Sequence, residues 1–200
     1  MKIKEHFQTI TYHRKLVREG CFRVGLYWQG LTHDLSKFSP TEFLIGAKYY
    51  QGDRSPNNAE KEEKGYSSSW LHHKGRNKHH FEYWIDYSMP DAGDKLLIGM
   101  PMPVRYVVEM CMDRIAACKV YQKENYTTAS PWEYHQKSKR VKEVMHPESL
   151  QLLERLLKML AVEGEEMTYA YAKYLLKKDR RERFRHGFHC LWELLSGGKR

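Results

Sequence analysis

The chain has 200 residues, a formal net charge of +9 and 41% hydrophobic residues. That length suits one domain with a real core, and that apolar content excludes a globally disordered chain. No apolar run approaches the roughly 18 residues of a membrane span, and the start, MKIKEHFQTI, has no apolar signal core, so a cytoplasmic protein without a membrane partner is expected.

Residues 4–19 suit a first helix. Ile3, Phe7, Ile10, His13 (or Arg14) and Val17 fall on one stripe, and Gly20 marks its end. Residues 21–34 make a second helix, with His33-Asp34 at or near its C-terminal end. Ser39-Pro40-Thr41-Glu42 opens a third: Ser39 as N-cap, Pro40 in the first turn, Glu42 completing a capping box. Residues 51–68 are polar, with Gly, Pro and Asn, and read as a long loop, either a lid or a surface insert. A helix is expected over 69–87, with Gly75 interrupting its first turns, and a second loop over 88–99. Residues 103–123 are a long helix starting at Pro103, with Val104, Val107, Val108, Cys111, Ile115 and Cys118 on its apolar side. Helices at about 131–144, 148–163 and 166–195 follow, separated by His146-Pro147 and by Gly164. No stretch alternates convincingly at strand length and no repeat is visible. The pattern predicts an all-α helical bundle over residues 1–165, with a basic helical extension over 166–200 packed on the same domain.

The cation excess favours anionic partners such as phosphorylated metabolites, nucleotides or nucleic acid. Much of it lies in Lys177, Lys178, Arg180, Arg181 and Arg183 and in Gly198-Lys199-Arg200, where a solvated helix face is the ordinary explanation. Cys21, Cys111, Cys118 and Cys190 form no C-x-x-C pair, which excludes a zinc ribbon or a thioredoxin motif and leaves buried reduced thiols.

Histidine carries the chemical signal. The stretch Trp70 to Trp84 reads WLHHKGRNKHHFEYW, and upstream stands GLTHDLSKFS. Neutral imidazole binds borderline cations near neutral pH, so a His-Asp doublet with a second histidine cluster reads as a metal centre. The inventory is His13, His33, Asp34, His72 or His73, His79 or His80, and Asp113. Successive helical side chains diverge by about 100°, so His33 and Asp34 can share an ion only at a helix end or distortion. Asp34 could bridge two ions through its two oxygens. The i, i+7 spacing pairs His72 with His79 and His73 with His80. His73 and His80 are favoured inside because Trp84 extends their stripe, which leaves His72 and His79 at the rim. Glu109, one turn before Asp113, is either a carboxylate orienting a ligand histidine or a surface charge. His6 reads as a surface residue, and His135, His146, His186 and His189 as structural or exposed.

The order His, His-Asp, His cluster, Asp resembles the HD-domain superfamily of metal-dependent phosphohydrolases. His33-Asp34-Leu35-Ser36-Lys37 is similar to the HD-x-x-K motif of its dinuclear HD-GYP branch. The segments GLTHDLSKFSPTEF, WLHHKGRNKHHFEYW and MPVRYVVEMCMDRIAACKVYQ look like an uncharacterised bacterial family of unknown function, over about residues 5–163. The HD resemblance implies a basic metal set of His13, His33, Asp34 and Asp113, one or two later histidines for a second ion, and Lys37 on the substrate phosphate. Only five residues separate His73 from His79, and the GYP signature is absent, so cleavage of cyclic dinucleotides is not expected.

The expectation is therefore a metal-dependent phosphohydrolase acting on a nucleotide or other small phosphorylated metabolite. Asp34 and Lys37 would be catalytic. Lys37, Lys74, Arg76 and Asn77 would hold substrate. His13, His33, Asp34, His73, His80 and Asp113 would hold one or two divalent transition metal ions, with Fe, Mn, Zn and Ni all compatible with mixed N and O donors. The alternatives are a nucleic-acid or nucleotide-binding module without turnover, and a scaffold with a structural metal site.

Overall fold

The computed structural model describes residues 1–89 and 96–195, with side chains throughout except those of 139, 140 and 186–195. His186, His189, Cys190 and the terminal basic residues therefore lie outside the described side chains, as do residues 90–95 of the second expected loop.

The chain is all-α, as its periodicity predicts. Helix α1 runs Ile3–Val24 and α2 Tyr27–Thr32. After a 3-10 turn, Leu35–Phe38, come α3 (Pro40–Tyr49), α4 (Pro56–Lys64) and α5 (Ser68–Lys74). A second 3-10 turn, Phe81–Trp84, leads into a small antiparallel hairpin of β1 (Ile85–Tyr87) and β2 (Leu97–Gly99), paired Ile85 with Gly99 and Tyr87 with Leu97. Then follow α6 (Val104–Gln122), α7 (Ser130–Lys137), α8 (Lys139–Val144) and α9 (Pro147–Leu195).

Helices α1, α6 and α9 build the core. Val17 and Cys21 of α1 meet Val108 and Ile115 of α6 and Leu153 and Leu157 of α9 in one buried cluster. Leu153, Leu156, Leu157 and Leu160 are fully buried at the i, i+3, i+4, i+7 spacing of a single stripe. Truncating any one of them to alanine would cost about 2–5 kcal/mol through lost burial and a residual cavity.

Several boundaries differ from the sequence reading, each for a local reason. Gly20 does not end α1: it is buried against Met112, and the helix continues to Val24. Gly25 ends it, with φ 88° and its N–H returned to the carbonyls of α1, the left-handed cap that glycine adopts without Cβ strain. The expected 51–68 loop contains α4. Pro56 sits in its first turn and Gly65 caps it at φ 79°, signals that the polar composition obscured. The expected 69–87 helix stops at Lys74, because the chain turns at Gly75 and returns N–H groups of Arg76 and Asn77 to the His73 carbonyl. Gly164 breaks α9 with φ 78° and ψ −176°, backbone open essentially to glycine alone. Beyond the break, Thr168, Tyr169, Ala172 and Leu176 are buried, and residues 180–185 are exposed on every side. No described helix is long and apolar enough to cross a membrane.

Candidate metal centre

Four segments converge on the carboxylate of Asp34. Helix α1 contributes His13, the end of α2 contributes His33 and Asp34, the last turn of α5 and the turn after it bring His73 and then His79 and His80, and α6 contributes Glu109 and Asp113. His33 is the C-cap of α2, and Asp34 follows at φ 54°, ψ 26°, a left-handed conformation that Asp tolerates better than most residues. That distortion turns two adjacent side chains towards one point. Arg14 fixes it by donating Nε to the His33 carbonyl at 2.7 Å and Nη2 to the Leu31 carbonyl at 3.0 Å.

Three groups of donors lie close enough to hold an ion: two share Asp34, and a third joins His33, His79 and Glu109. In the first, His13 Nε2 lies 3.6 Å from Asp34 Oδ2 and 3.0 Å from Asp113 Oδ1, and His33 Nε2 lies 3.4 Å and 3.5 Å from the same two oxygens. In the second, His73 Nε2 and His79 Nε2 lie 3.3 Å and 3.4 Å from Asp34 Oδ1, and His80 completes the group. Within each set the donor atoms all lie within 4.8 Å of one another. Ligands about 2.1 Å from an ion stand about 3.0 Å apart across an octahedral edge and about 3.4 Å across a tetrahedral one. The observed spacings of 3.0–3.6 Å are compatible with such a shell as well as with direct ion pairs.

The unsatisfied atoms make the stronger test. Buried polar atoms are normally hydrogen-bonded. Yet His33 Nε2, His79 Nε2, His80 Nε2 and Asp34 Oδ1 are buried without a hydrogen-bond partner, whereas Asp34 Oδ2 has the Lys37 ammonium at 2.7 Å and His13 Nε2 has Asp113 Oδ1 at 3.0 Å. A cation among them would satisfy the group at once, so the buried clusters could hold a metal ion.

The opposite ring edges are satisfied by carboxylates. Glu109 Oε1 accepts from Nδ1 of His33 at 2.9 Å and of His79 at 3.2 Å. Glu42 accepts from Nδ1 of His73 at 2.7 Å through Oε2, and from Nδ1 of His72 at 2.6 Å through Oε1. A carboxylate on Nδ1–H fixes the tautomer with Nε2 free and makes the ring a better ligand.

Without an ion the charge states divide: the carboxylates and His80 suit a cation, whereas His33 and His73, against their burial, are raised by Asp34. Burial alone would raise the Asp34 carboxyl, but His33, Lys37 and His73 hold it well below the usual carboxylate range. Burial likewise opposes ionisation of Asp113, and His13 and His33 overcome it. The Glu109 carboxyl is also lowered, by His33 and His79, against its own burial. Burial, then His79 and His73, push His80 well below its ordinary value, so its ring stays neutral, the form that binds metals.

Of the other expected site residues, Lys37 reaches the cluster: its ammonium is 2.7 Å from Asp34 Oδ2, and its side chain keeps 27% of its exposure. Burial works against that charge and Asp34 more than restores it, raising the ammonium. Asn77 is near but turned to structure. It donates Nδ2 to Ser36 Oγ at 2.8 Å and to the His73 carbonyl at 2.8 Å, tying the histidine turn to the 3-10 turn after Asp34. Arg76 is exposed and donates to the His72 carbonyl, and Lys74 lies near Glu82. Neither is in contact with the cluster among the described interactions.

Three expectations need correction. His79 is not at the rim. It is buried beside His33 and joins His73 and His80 around Asp34, because the chain leaves the helix at Gly75 and the i, i+7 pairing with His72 no longer applies. Glu42 forms no capping box, since Ser39 makes no side-chain cap and Glu42 serves His72 and His73 instead. His6 is buried, packed on Phe43 and Tyr50. The sequence reading missed Glu42 and Arg14 as site residues. Their signals were present but ambiguous: Glu42 matched a capping pattern, and Arg14 was an alternative on the stripe that His13 occupies.

The chain belongs to a family of unknown function (DUF5662), whose profile matches residues 2–159. The match takes in every donor of both sets, from His13 to Asp113, and ends just before the break at Gly164. No curated protein and no solved structure matches the chain.

Proposed function

We propose that the chain is a metal-dependent phosphohydrolase that hydrolyses a phosphate ester at a two-ion centre bridged by Asp34. The observation that carries this reading is the pair of donor sets meeting on the two oxygens of one buried aspartate, with the Nε2 atoms of His33, His79 and His80 buried and without a hydrogen-bond partner. Its resemblance to the HD-domain superfamily, through His33-Asp34 and Lys37, points the same way.

When bound, divalent ions would polarise a phosphoryl oxygen and acidify water. The chain's own groups would do the rest. Glu109 and Glu42 hold three imidazoles in one tautomer, so their Nε2 lone pairs need no rearrangement to bind. Lys37, part-exposed beside Asp34, supplies a fixed positive charge where a phosphate would approach, and a charge-assisted contact there would neutralise the oxyanion. Asn77 keeps the histidine turn against Ser36. Asp113 retains 17% exposure, and with Lys37 it marks the open side of the cluster. That opening favours catalysis over a structural site, which would be closed on all sides.

The test is direct. The purified chain is analysed for bound elements, loaded in turn with Fe, Mn, Zn and Ni, and assayed across phosphate esters. Release of inorganic phosphate that depends on the ion and vanishes in Asp34→Ala supports the reading. Ion binding without turnover of any ester would replace it with a structural centre.

A further inference from the structure

Beyond the break at Gly164, α9 carries a concentration of charge that the cluster does not use. Residues 173–185 hold seven lysines and arginines against two carboxylates, Asp179 and Glu182, a net five of the chain's nine positive charges. We infer that this stretch of helix binds the phosphodiester backbone of double-stranded DNA, independently of base sequence. The inference does not depend on the phosphohydrolase reading: DNA held here is a partner of the chain, not the ester that the cluster would cleave.

The two signs are sorted on the helix. Asp179 takes Arg183 at 2.9 Å, and Glu182 takes Lys178 at 3.8 Å. Lys173, Lys177, Arg180, Arg181 and Arg185 are exposed and make no ion pair among the described residues. Lys173, Lys177, Arg181 and Arg185 follow one another at i, i+4 and so form a single row, with Arg180 beside it. Thr168, Ala172 and Leu176, on the opposite side of the helix, are buried in the domain. A helix face that only keeps a protein in water interleaves the two signs, because opposite charges at i, i+4 support a helix and like charges oppose it. Here three like-charge pairs run in succession with no carboxylate in the row. A polyanion laid along it turns that repulsion into attraction.

Spacing and shape select the partner. Successive members of the row rise about 6 Å along the axis, so the row spans about 18 Å. Duplex DNA carries one phosphate charge per about 1.7 Å of its axis, so a row of that length has several phosphates within reach of its long side chains. Residues 180–185 are exposed on every side, and the helix there stands clear of the domain. A helix about 10–12 Å across fits the major groove of B-form DNA, about 12 Å wide, whereas the major groove of A-form RNA is too narrow. Around the helix, Lys177 and Arg180 lie to one side of Arg181 and Arg185 to the other, so both phosphate walls of the groove meet a cation. No asparagine or glutamine lies between 173 and 185, and contacts to phosphate position a duplex without reading it.

An anionic bilayer is the other polyanion that a basic helix meets. A helix lying on a bilayer needs an apolar face of its own. Here Tyr169, Ala172 and Leu176 are spent on the domain core, and the two exposed rings, Tyr174 and Phe184, stand ten residues apart. The described face offers charge without a continuous apolar stripe, which favours DNA.

The experiment uses the full chain and a fluorescently labelled DNA duplex of mixed sequence, with binding read by anisotropy. Between about 50 and 200 mM salt, the logarithm of the binding constant should fall against the logarithm of salt with a slope of about −4, as four or five neutralised phosphates give. The double variant Lys177→Gln/Arg181→Gln should bind about tenfold or more weakly at low salt, with a slope nearer about −2. Lys177→Arg/Arg181→Lys, which keeps both charges, should bind as wild type does. Lys4→Gln/Lys142→Gln removes the same charge from exposed lysines elsewhere and should stay close to wild type. All of these positions are exposed, and unchanged circular dichroism checks that the variants fold. No binding at low salt, no loss in the helix variant, or an equal loss in the control variant overturns the proposal. So does tighter binding to duplex RNA, or to phosphatidylserine vesicles, than to DNA, since either result puts a different partner on the row.

Discussion

The imidazole rings of His33 and His79 lie 4.3 Å apart, and their Nδ1 atoms share one carboxylate oxygen of Glu109. One ring belongs to the donor set with His13 and Asp113, the other to the set with His73 and His80. Glu109 therefore couples the two halves from behind, as Asp34 couples them from the front. Replacing Glu109 with Ala should lower ion affinity in both halves, by about ten- to hundredfold, the usual cost of losing a carboxylate behind a ligand histidine. Glu109→Gln, which keeps one acceptor oxygen, should fall between. Competition with a chelator of known affinity reads this out, and unaltered affinity in a folded Glu109→Ala protein would remove the orienting role.

Asp34→Ala should abolish ion binding, because it deletes the donor common to both sets. A thermal melt makes the point without an activity assay. In the wild type, a chelator should lower Tm by releasing a ligand that binds only the native state. In Asp34→Ala it should leave Tm where it was. A variant that retains its full ion content would refute the bridging assignment.

Lys37→Ala separates chemistry from coordination. The ion content should be preserved, since lysine is not a donor in either set, while kcat/KM for a phosphate ester should fall by about ten- to a hundredfold, as expected for one charged hydrogen bond. Rates equal to wild type would return Lys37 to the role of a counter-charge for Asp34.

His6 and Gly46 form a close pair outside the donor groups. A Cβ built on Gly46 would collide with the His6 ring. Gly46→Ala should destabilise the fold by about 1–3 kcal/mol, the ordinary cost of overpacking. In a His6→Ala background the same change should cost much less. Denaturant melts of the two single variants and the double variant form a cycle, and additive costs would mean that the ring yields without strain.

The same histidine makes a pH prediction. Burial, with Lys37 adding to it, lowers His6 to about 4 from its ordinary 6.5. Between those values the unfolded chain binds a proton that the folded chain refuses. The folded state is therefore favoured above pH 6.5 and progressively disfavoured as pH falls from 6.5 towards 4. Against wild type, His6→Leu should show a shallower decline of Tm across that window. Parallel curves would assign the acid sensitivity to other groups.

Much of this was legible in the residues. The long apolar stripe of α6, the proline opening α3 and the glycine breaking α9 are backbone and burial signals, and they fall where the sequence puts them. The requirement that His33 and Asp34 sit at a helix end follows from helical geometry, and the structure supplies that end at the α2 C-cap. The histidine turn was harder. Counting along an assumed helix put His79 on the wrong side, since the side-chain direction after Gly75 is set by hydrogen bonds of Asn77 that no periodicity encodes. Helix α4 was hidden because it buries only Ala59 and Glu60. The hairpin strands, at three residues each, are too short for alternation to show.

The linear order of the donors has a consequence for how the molecule is made. Asp34, His73, His79 and His80 are all present once the ribosome has passed residue 80, whereas the other set waits for Asp113. Glu109, which steadies His33 and His79, also arrives late. A nascent chain caught between those points offers one finished set of donors and one half-built, and its α1 still lacks the α6 surface it packs against. Translation alone therefore imposes a sequence on assembly: the histidine-rich half is available first, and the half that needs α6 closes only as the core itself comes together.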